Sequence, residues 1–456
     1  MMVGSEMKLP EDFLKQIKGV LGDSFPDFLN SIGQAAPTSI RLNHHKPISS
    51  IAGKPVPWCS TGLYLGDRPV FTLDPLFHAG AYYVQEASSM FLEQVFLHLG
   101  LASKPIRILD VSAAPGGKST HLASLMHQDS LLVANEVIRS RATILEENLI
   151  KWGVGNVVIT NNDPESFQKL PGFFDVMVVD APCSGEGLFR KDPESRNEWS
   201  EENVHLCSKR QRRILSDVWP SLKSNGILIY CTCTYNPQEN EENMQWLSEQ
   251  HDAESLSIPL QNHWGIEKIS YKTITGYRFY PHKVKGEGFF ISVIKKNSFQ
   301  DEVPIRTKRK PVLPPATILD ELSRWLNHSE NFTFELIDNY VIAYANALTG
   351  EIDKLNNTLR VIRSGTTLAN LKGHKLIPEH ALALSTTINK QHFPSLDLSL
   401  NQALAFLRKE SIILTEYVKG YTLVTYQSQP IGWMNILDNR VNNLYPKTWR
   451  IRMQID

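Results

Sequence analysis

Between about residue 76 and residue 296, short β-branched runs alternate with helix-like segments, and this alternation restricts the fold more than any other feature of the chain. The runs are IRILDVS (106–112), LLVANEV (131–137), VVITNND (157–163), FDVMVVDAPC (174–183) and GILIYCTCT (226–234). Strands alternating with helices imply right-handed crossovers and a parallel sheet covered on both faces, a doubly wound α/β domain. After the last run, YRFYPHK and GEGFFISVIKK flank a short glycine-containing turn, which predicts a closing antiparallel hairpin.

At 456 residues the chain is too long for one core, and roughly 150 residues per domain gives about three. Residues 1–75, with PEDFLKQIKGVL, TSIRLN and GLYLG, read as a small α/β module ahead of the 76–296 domain. Residues 297–315 are rich in proline and charge and read as a linker. Beyond it, 316–384 looks mixed, and 385–456 holds strand-like pieces such as YTLVTYQ and QPIGWMNI around turn residues, a largely β module.

A net charge of -1 excludes a uniformly basic coat, so a polyanion would have to be held by local patches such as SKRQRR (208–213), RTKRK (306–310) and KTWRIR (447–452). Taken alone, such runs are commonly solvated faces. Five cysteines, an odd number without the spacing of a secreted disulfide framework, point to a reducing cytoplasm. The N-terminal residues lack a signal-peptide core, and no run of about 20 apolar residues could span a bilayer. The expectation is a soluble, cytoplasmic monomer without a membrane partner.

In an open parallel sheet, ligands bind beyond the carboxyl ends of the strands. The first run delivers Asp110 and the bend SAAPGGKS, the second Glu136, the third Asp163, the fourth Asp180 with Pro182 and Cys183, and the fifth Cys231 and Cys233. The bend is no phosphate loop, because Ser112 stands where that loop needs glycine and Pro115 lacks an N–H to cradle phosphate. It also lacks the G-x-G-x-x-G spacing of dinucleotide folds. A Gly116-Gly117 bend opening a helix suits a carboxylate, Glu136 could accept from ribose hydroxyls, and Asp163 could take an adenine amino group. S-adenosylmethionine combines these features. Singly, each acid would be a cap or turn residue, and Lys118 a solvated side chain in the first helical turn.

The cysteines point to the acceptor. Carbon 5 of cytosine becomes nucleophilic only after a thiolate adds to carbon 6, and a second group must then help to release the product. Chemistry alone does not say which cysteine attacks. Arg190 or Lys191 could favour a thiolate nearby. Free cysteines are commonly small buried hydrophobes, and the C-x-C pair has no partners to make a zinc site, so no metal is expected.

The segments DVSAAPGGKSTHLA, DAPCSGEGLFRKDP, KRQRRIL, IYCTCTYNPQENE and RFYPHKVKGEGFF resemble the Sun-type RNA (cytosine-5) methyltransferases, more narrowly the bacterial branch acting on 16S ribosomal RNA. IRLN and YYVQEASSM fit that branch, and GYTLVTYQSQPIGWMN with LYPKTWRIR is similar to its PUA-like RNA-binding domain. The resemblance implies a Rossmann-like class I S-adenosylmethionine-dependent methyltransferase core with a small N-terminal α/β domain and C-terminal mixed and PUA-like β domains. It implies that Ser112, Ala113, Ala114, Pro115, Gly116, Gly117, Lys118, Glu136, Asp163 and Asp180 bind S-adenosylmethionine, and that Asp180 also contacts the target base. Cys233 would be the nucleophile, Cys183 would assist product release, and the partner would be RNA, 16S rRNA within the small ribosomal subunit. Ser112 replaces a cysteine common in the family. Cys231 is an extra thiol, expected on the same strand face as Cys233 and able to oxidise with it.

Two other readings remain. A DNA cytosine-5 methyltransferase attacks from a Pro-Cys motif and uses a Glu-Asn-Val strand, and the chain has Pro182-Cys183 and Glu202-Asn203-Val204. But SEENVHLCSKRQRRIL reads as a helix capped by Ser200. A catalytically silent RNA-binding assembly factor would not need both cysteines and the strand-end acids.

Overall fold

The structure is a computed structural model and describes residues 9–48, 51–303, 311–373, 375–414 and 417–453. The basic run 306–310 and the middle of the 297–315 linker lie outside the described residues. Four sheets organise the described residues. The first contains β1 (Ser39–Leu42), β2 (Lys54–Val56), β3 (Cys59–Tyr64) and β4 (Tyr82–Val84) in the order β2-β3-β1-β4, all antiparallel. Helices Glu11–Leu21 and Phe25–Ile32 precede it.

The central sheet is built on β5 (Arg107–Asp110), β6 (Leu131–Asn135), β7 (Val157–Thr160), β8 (Phe174–Asp180) and β9 (Leu222–Thr232), which run parallel in the order β7-β6-β5-β8-β9. The chain builds β5, β6 and β7 towards one side, then returns to lay down β8 and β9 on the other. Connections therefore diverge between β5 and β8, which opens a crevice at their carboxyl ends. β10 (Ala253–Leu256), β11 (Glu267–Tyr271), β12 (Ile274–Phe279) and β13 (Phe289–Lys296) finish this side, with β13 antiparallel to β9. The expected closing hairpin is β12 and β13, paired Gly276 to Ser292 and Phe279 to Phe289.

All five residues of β6 and all four of β7 are buried, as strands covered on both faces require. One face packs Ile108, Leu132, Val176 and Ile229 against Phe91, Val95 and Leu122. The other packs Leu109, Val133, Met177 and Leu228 against Leu215 and Val218 of helix Glu201–Val218. That helix contains Glu202-Asn203-Val204 and is capped by Ser200, whose hydroxyl accepts from the Asn203 N–H at 3.0 Å. The tripeptide is helical, and its likeness to the DNA-enzyme strand ends at sequence.

In the C-terminal third, β14 (Phe332–Ile337), β15 (Tyr340–Ala345), β17 (Thr366–Lys372) and β18 (Lys375–Pro378) form an antiparallel sheet. The intervening β16 (Val361–Ser364) instead pairs antiparallel with β7, Val361 opposite Thr160 and Ser364 opposite Val158. The final sheet holds β19 (Ser395–Asp397), β20 (Gly420–Tyr426), β21 (Gln429–Leu437) and β22 (Arg440–Asn443), and helix Leu400–Arg408 packs on it behind a Ser399/Gln402 capping box. It reaches the N-terminal module through Gln429, whose amide donates to the Pro47 carbonyl at 3.0 Å.

Candidate active site

The bend after β5 is held from three directions by backbone and side-chain hydrogen bonds. Ala113 N–H donates to the Asn135 carbonyl (2.8 Å), Arg141 donates to the Ala114 carbonyl (2.8 Å), and Asn148 donates to the Pro115 carbonyl (2.8 Å). Gly116 then turns the chain with φ 115°, a left-handed conformation that favours glycine, and helix Gly117–Leu125 begins. Ser112, Ala113, Ala114, Pro115, Gly117, Lys118 and Asp180 line one cavity of about 160 Å³. Gly116 shapes the bend without lining it.

Lys118 is not the solvated side chain it would be if taken singly. Its ammonium sits 2.8 Å from Asp180 Oδ2 and 5.2 Å from the centre of the Phe289 ring, with 13% of the side chain exposed. The reason is topological: β8 lies beside β5, so its terminal Asp180 faces the first turn of the helix that follows β5. Burial alone would lower the ammonium's pKa, but Asp180 and the neighbouring acidic groups, Asp110 among them, together outweigh it and the net shift is upward.

Asp110, also at the cavity, is fully buried; Oδ2 accepts from Ser119 Oγ at 2.6 Å, and Oδ1 has no hydrogen-bond partner among the described residues. Burial pushes its carboxyl up to about 7, against the Ser119 hydrogen bond. Glu136, just past β6, is 2% exposed; Oε1 accepts from the Ile138 N–H at 2.9 Å, while Oε2 accepts no hydrogen bond from the described residues and lies 3.7 Å from Arg141. Asp163 stands farther along the edge, outside the cavity wall. It caps the turn Pro164–Lys169 by accepting from the Glu165 N–H at 3.2 Å and faces Arg213 at 3.5 Å.

β8 and β9 are hydrogen-bonded neighbours, with Asp180 opposite Cys231. Cys183 and Cys233 each lie just beyond a strand end, and their Sγ atoms are 3.1 Å apart. The hydrogen bond with Cys233 and burial together push the Cys183 thiol well above its usual range. Cys231 takes neither place: it is fully buried among the apolar residues of the core, and burial raises its thiol. β9 ends at Thr232, so the period-two alternation does not extend to Cys233, and its close neighbour is Cys183. Nor does Arg190 serve the thiols. Its guanidinium is paired with Glu287 at 2.9 Å and donates to the Gly286 carbonyl at 2.7 Å.

Sequence reasoning overlooked two groups. Tyr83, Val84, Gln85, Glu86 and Ser89 form the far wall of the cavity, brought in by β4 of the neighbouring sheet. Only the position of YYVQEASSM just ahead of the core hinted at this. Glu239, six residues past Cys233, is fully buried and accepts from the Ser184 N–H (3.0 Å), the Ser184 hydroxyl (2.5 Å) and the Gln211 amide (2.8 Å). An acidic PQENE segment gives no sign of such burial.

A doubly wound sheet with antiparallel closing strands, a glycine-bent crevice and a C-terminal PUA domain defines a Rossmann-like methyltransferase with RNA-binding equipment. Residues 99–295 match the 16S rRNA methyltransferase RsmB/F model, 9–87 the N-terminal domain of 16S rRNA methyltransferase RsmF, and 393–451 the methyltransferase RsmF PUA domain. The ribosomal RNA small subunit methyltransferase F of an Escherichia coli strain is 30% identical over 96% of this chain and 96% of its own length. That of Citrobacter koseri is 31% identical with the same coverage. A methyltransferase homolog protein from Pyrococcus horikoshii superposes with a TM-score of 0.54 at 29% identity, over 64% of this chain and 96% of its own. The chain belongs to the ribosomal RNA small subunit methyltransferase F family.

Proposed function

We propose that the protein transfers a methyl group from S-adenosylmethionine to carbon 5 of a cytosine in 16S ribosomal RNA, through a covalent bond between Cys233 and carbon 6. The observation that carries this reading is the 3.1 Å approach of Cys183 and Cys233 just past β8 and β9, with Cys183 three residues beyond Asp180, which lines the cavity. The residues present suit the cofactor. Glu136 Oε2, which has an ionic neighbour in Arg141 but no hydrogen bond among the described residues, can accept from a ribose hydroxyl, the Ser112–Lys118 bend leaves backbone open at a helix N-terminus, and Asp163 would lie near the adenine. S-adenosylmethionine, when bound, supplies the electrophilic methyl group.

The protein's own groups do the rest. Cys233 adds as thiolate to carbon 6, which moves electron density to carbon 5. Asp180, 38% exposed at the cavity, contacts the base. After transfer, a base takes the carbon 5 proton, the bonding pair left behind forms the carbon 5–carbon 6 double bond, and the carbon 6–sulfur bond breaks so that Cys233 leaves with its electron pair. Cys183, kept as a thiol against Cys233, assists that release. The N-terminal module and the PUA domain hold the RNA, as part of an assembling or complete small subunit, while the cytosine is presented unstacked. The protein would work as a cytoplasmic monomer.

The test is incubation with methyl-labelled S-adenosylmethionine and unmethylated small subunits, followed by a denaturing gel. Wild type is expected to label RNA, Cys183→Ala to accumulate a covalent protein–RNA band, and Cys233→Ala to give neither. A band trapped by Cys233→Ala instead would reverse the two roles. Label on DNA alone would reject the RNA assignment.

A further inference from the structure

Cys183 and Cys233 lie on separate turns past β8 and β9, and the two turns are tied by the Gly187 N–H, which donates to the Cys233 carbonyl at 2.8 Å. The residues that follow them, Ser184 and Thr234, both carry hydroxyls, and these are hydrogen-bonded at 3.0 Å. Ser184 is further gripped by Glu239: its N–H donates to Oε2 at 3.0 Å and its hydroxyl to Oε1 at 2.5 Å. Gln211, from helix Glu201–Val218, donates its amide both to Glu239 Oε2 (2.8 Å) and to the Pro182 carbonyl (3.0 Å). Contacts from one carboxylate thus reach both chain neighbours of Cys183, Ser184 directly and Pro182 through Gln211.

The grip is itself fixed. Gln211 Oε1 accepts from the Asn243 amide at 2.7 Å, and Tyr230 donates to the Glu239 carbonyl at 2.7 Å. On the other turn, Asn240 donates to the Thr234 carbonyl at 3.0 Å and accepts from Thr232 at 2.5 Å. Glu239, Gln211, Asn240 and Asn243 are all fully buried, so each of these bonds is made away from competing water. A network of this kind has few alternative geometries, and a change in one member is felt at the thiols.

We propose that Glu239 is a positioning residue that clasps the turn at Ser184 and Pro182 and thereby holds the Cys183 thiol against Cys233 for product release. The proposal rests on the roles given above to the two cysteines. Glu239 does not touch the RNA base; it acts through the turn it holds. Its charge adds to the hydrogen bond and burial that keep Cys183 a thiol. The same carboxylate in a purely architectural role would lower stability on removal and leave the balance between adduct and released product unchanged.

The experiment compares Glu239→Ala, Glu239→Gln and Ser184→Ala with Cys183→Ala and Cys233→Ala in the full chain, using labelled S-adenosylmethionine and unmethylated small subunits. The readouts are the covalent band, the methylated RNA released and the KM for S-adenosylmethionine. A displaced reacting group costs on the order of tenfold to a hundredfold in rate, so Glu239→Ala should raise the trapped band about tenfold over wild type with KM within about twofold. Glu239→Gln keeps an acceptor for Ser184 and should restore release to within about threefold of wild type. If Glu239→Ala does not fold, Ser184→Ala, which removes one hydroxyl, carries the test and should also raise the band. Wild-type release in both variants, while Cys183→Ala traps its adduct, overturns the clasp and leaves the cysteine roles standing. Absence of a band in Cys183→Ala overturns the cysteine reading, and the clasp with it.

Discussion

Lys118, in the first turn of helix Gly117–Leu125, and Asp180, at the end of β8, make a partly exposed ion pair at 2.8 Å; hydrogen bonds to charged groups contribute about 1.5–3 kcal/mol, less where solvent reaches one partner as it does Asp180. Replacing Lys118 by methionine keeps the apolar stem over Phe289 and removes the charge. The expected outcome is a Kd for S-adenosylmethionine weakened by roughly tenfold or more with the fold intact, measured by calorimetric titration beside a thermal melt. A second residue-scale expectation concerns acid. Glu93 is buried, which alone would raise its pKa, but hydrogen bonds from His121, Ser60 and Cys59 outweigh burial and hold it at about 2. His121 is held down at about 4, first by burial and then by Arg41. Both groups therefore take up fewer protons folded than unfolded, so stability falls as pH drops, first from His121 between about 6.5 and 4, then from Glu93 between about 4.5 and 2. Urea midpoints should decline from pH 7 to pH 3.5, and Glu93→Gln should flatten the lower part of that decline. A pH-independent midpoint across this range would refute it.

Helix Glu201–Val218 shows what a cap decides at the scale of an element. Ser200→Ala removes the acceptor for the Asn203 N–H and should cost about 1 kcal/mol, read as a lower urea midpoint with an unchanged slope. This helix was legible because Ser200 and the apolar spacing agree. The five parallel strands were legible as well, since buried β-branched runs leave few alternatives. Other features depended on contacts between segments far apart in the chain. The Arg190–Glu287 pair joins residues 97 apart in sequence, and the Lys118–Asp180 pair requires knowing that β8 lies next to β5. Glu239 was not singled out, because nothing local announces that Ser184 and Gln211 fold over it. Residue type pointed to the cysteines, but the end of β9 at Thr232 is what sets the neighbours Cys231 and Cys233 apart in space.

At the scale of the whole molecule, the catalytic sheet is not closed by its own segment. β16 covers the edge of β7, and Tyr344, Leu348, Ile352, Leu355 and Leu359 pack into the same apolar cluster as Val133, Val158 and Met177. A chain ending at Val303 should therefore aggregate, with little protein at the monomer position on size exclusion; a soluble truncation that melts like the full chain would show that the sheet needs no cover. An uncovered edge offers unpaired N–H and C=O groups to any other strand. The pairing of Thr160 with Val361 also sets a schedule for synthesis. At about 5–20 residues per second, the roughly 200 residues between these partners take about 10–40 s to emerge, and β7 waits that long for its neighbour. Completion of the fold thus falls to a segment that supplies none of the groups proposed for the chemistry, and a chain stalled before residue 361 would carry both cysteines and an open sheet edge.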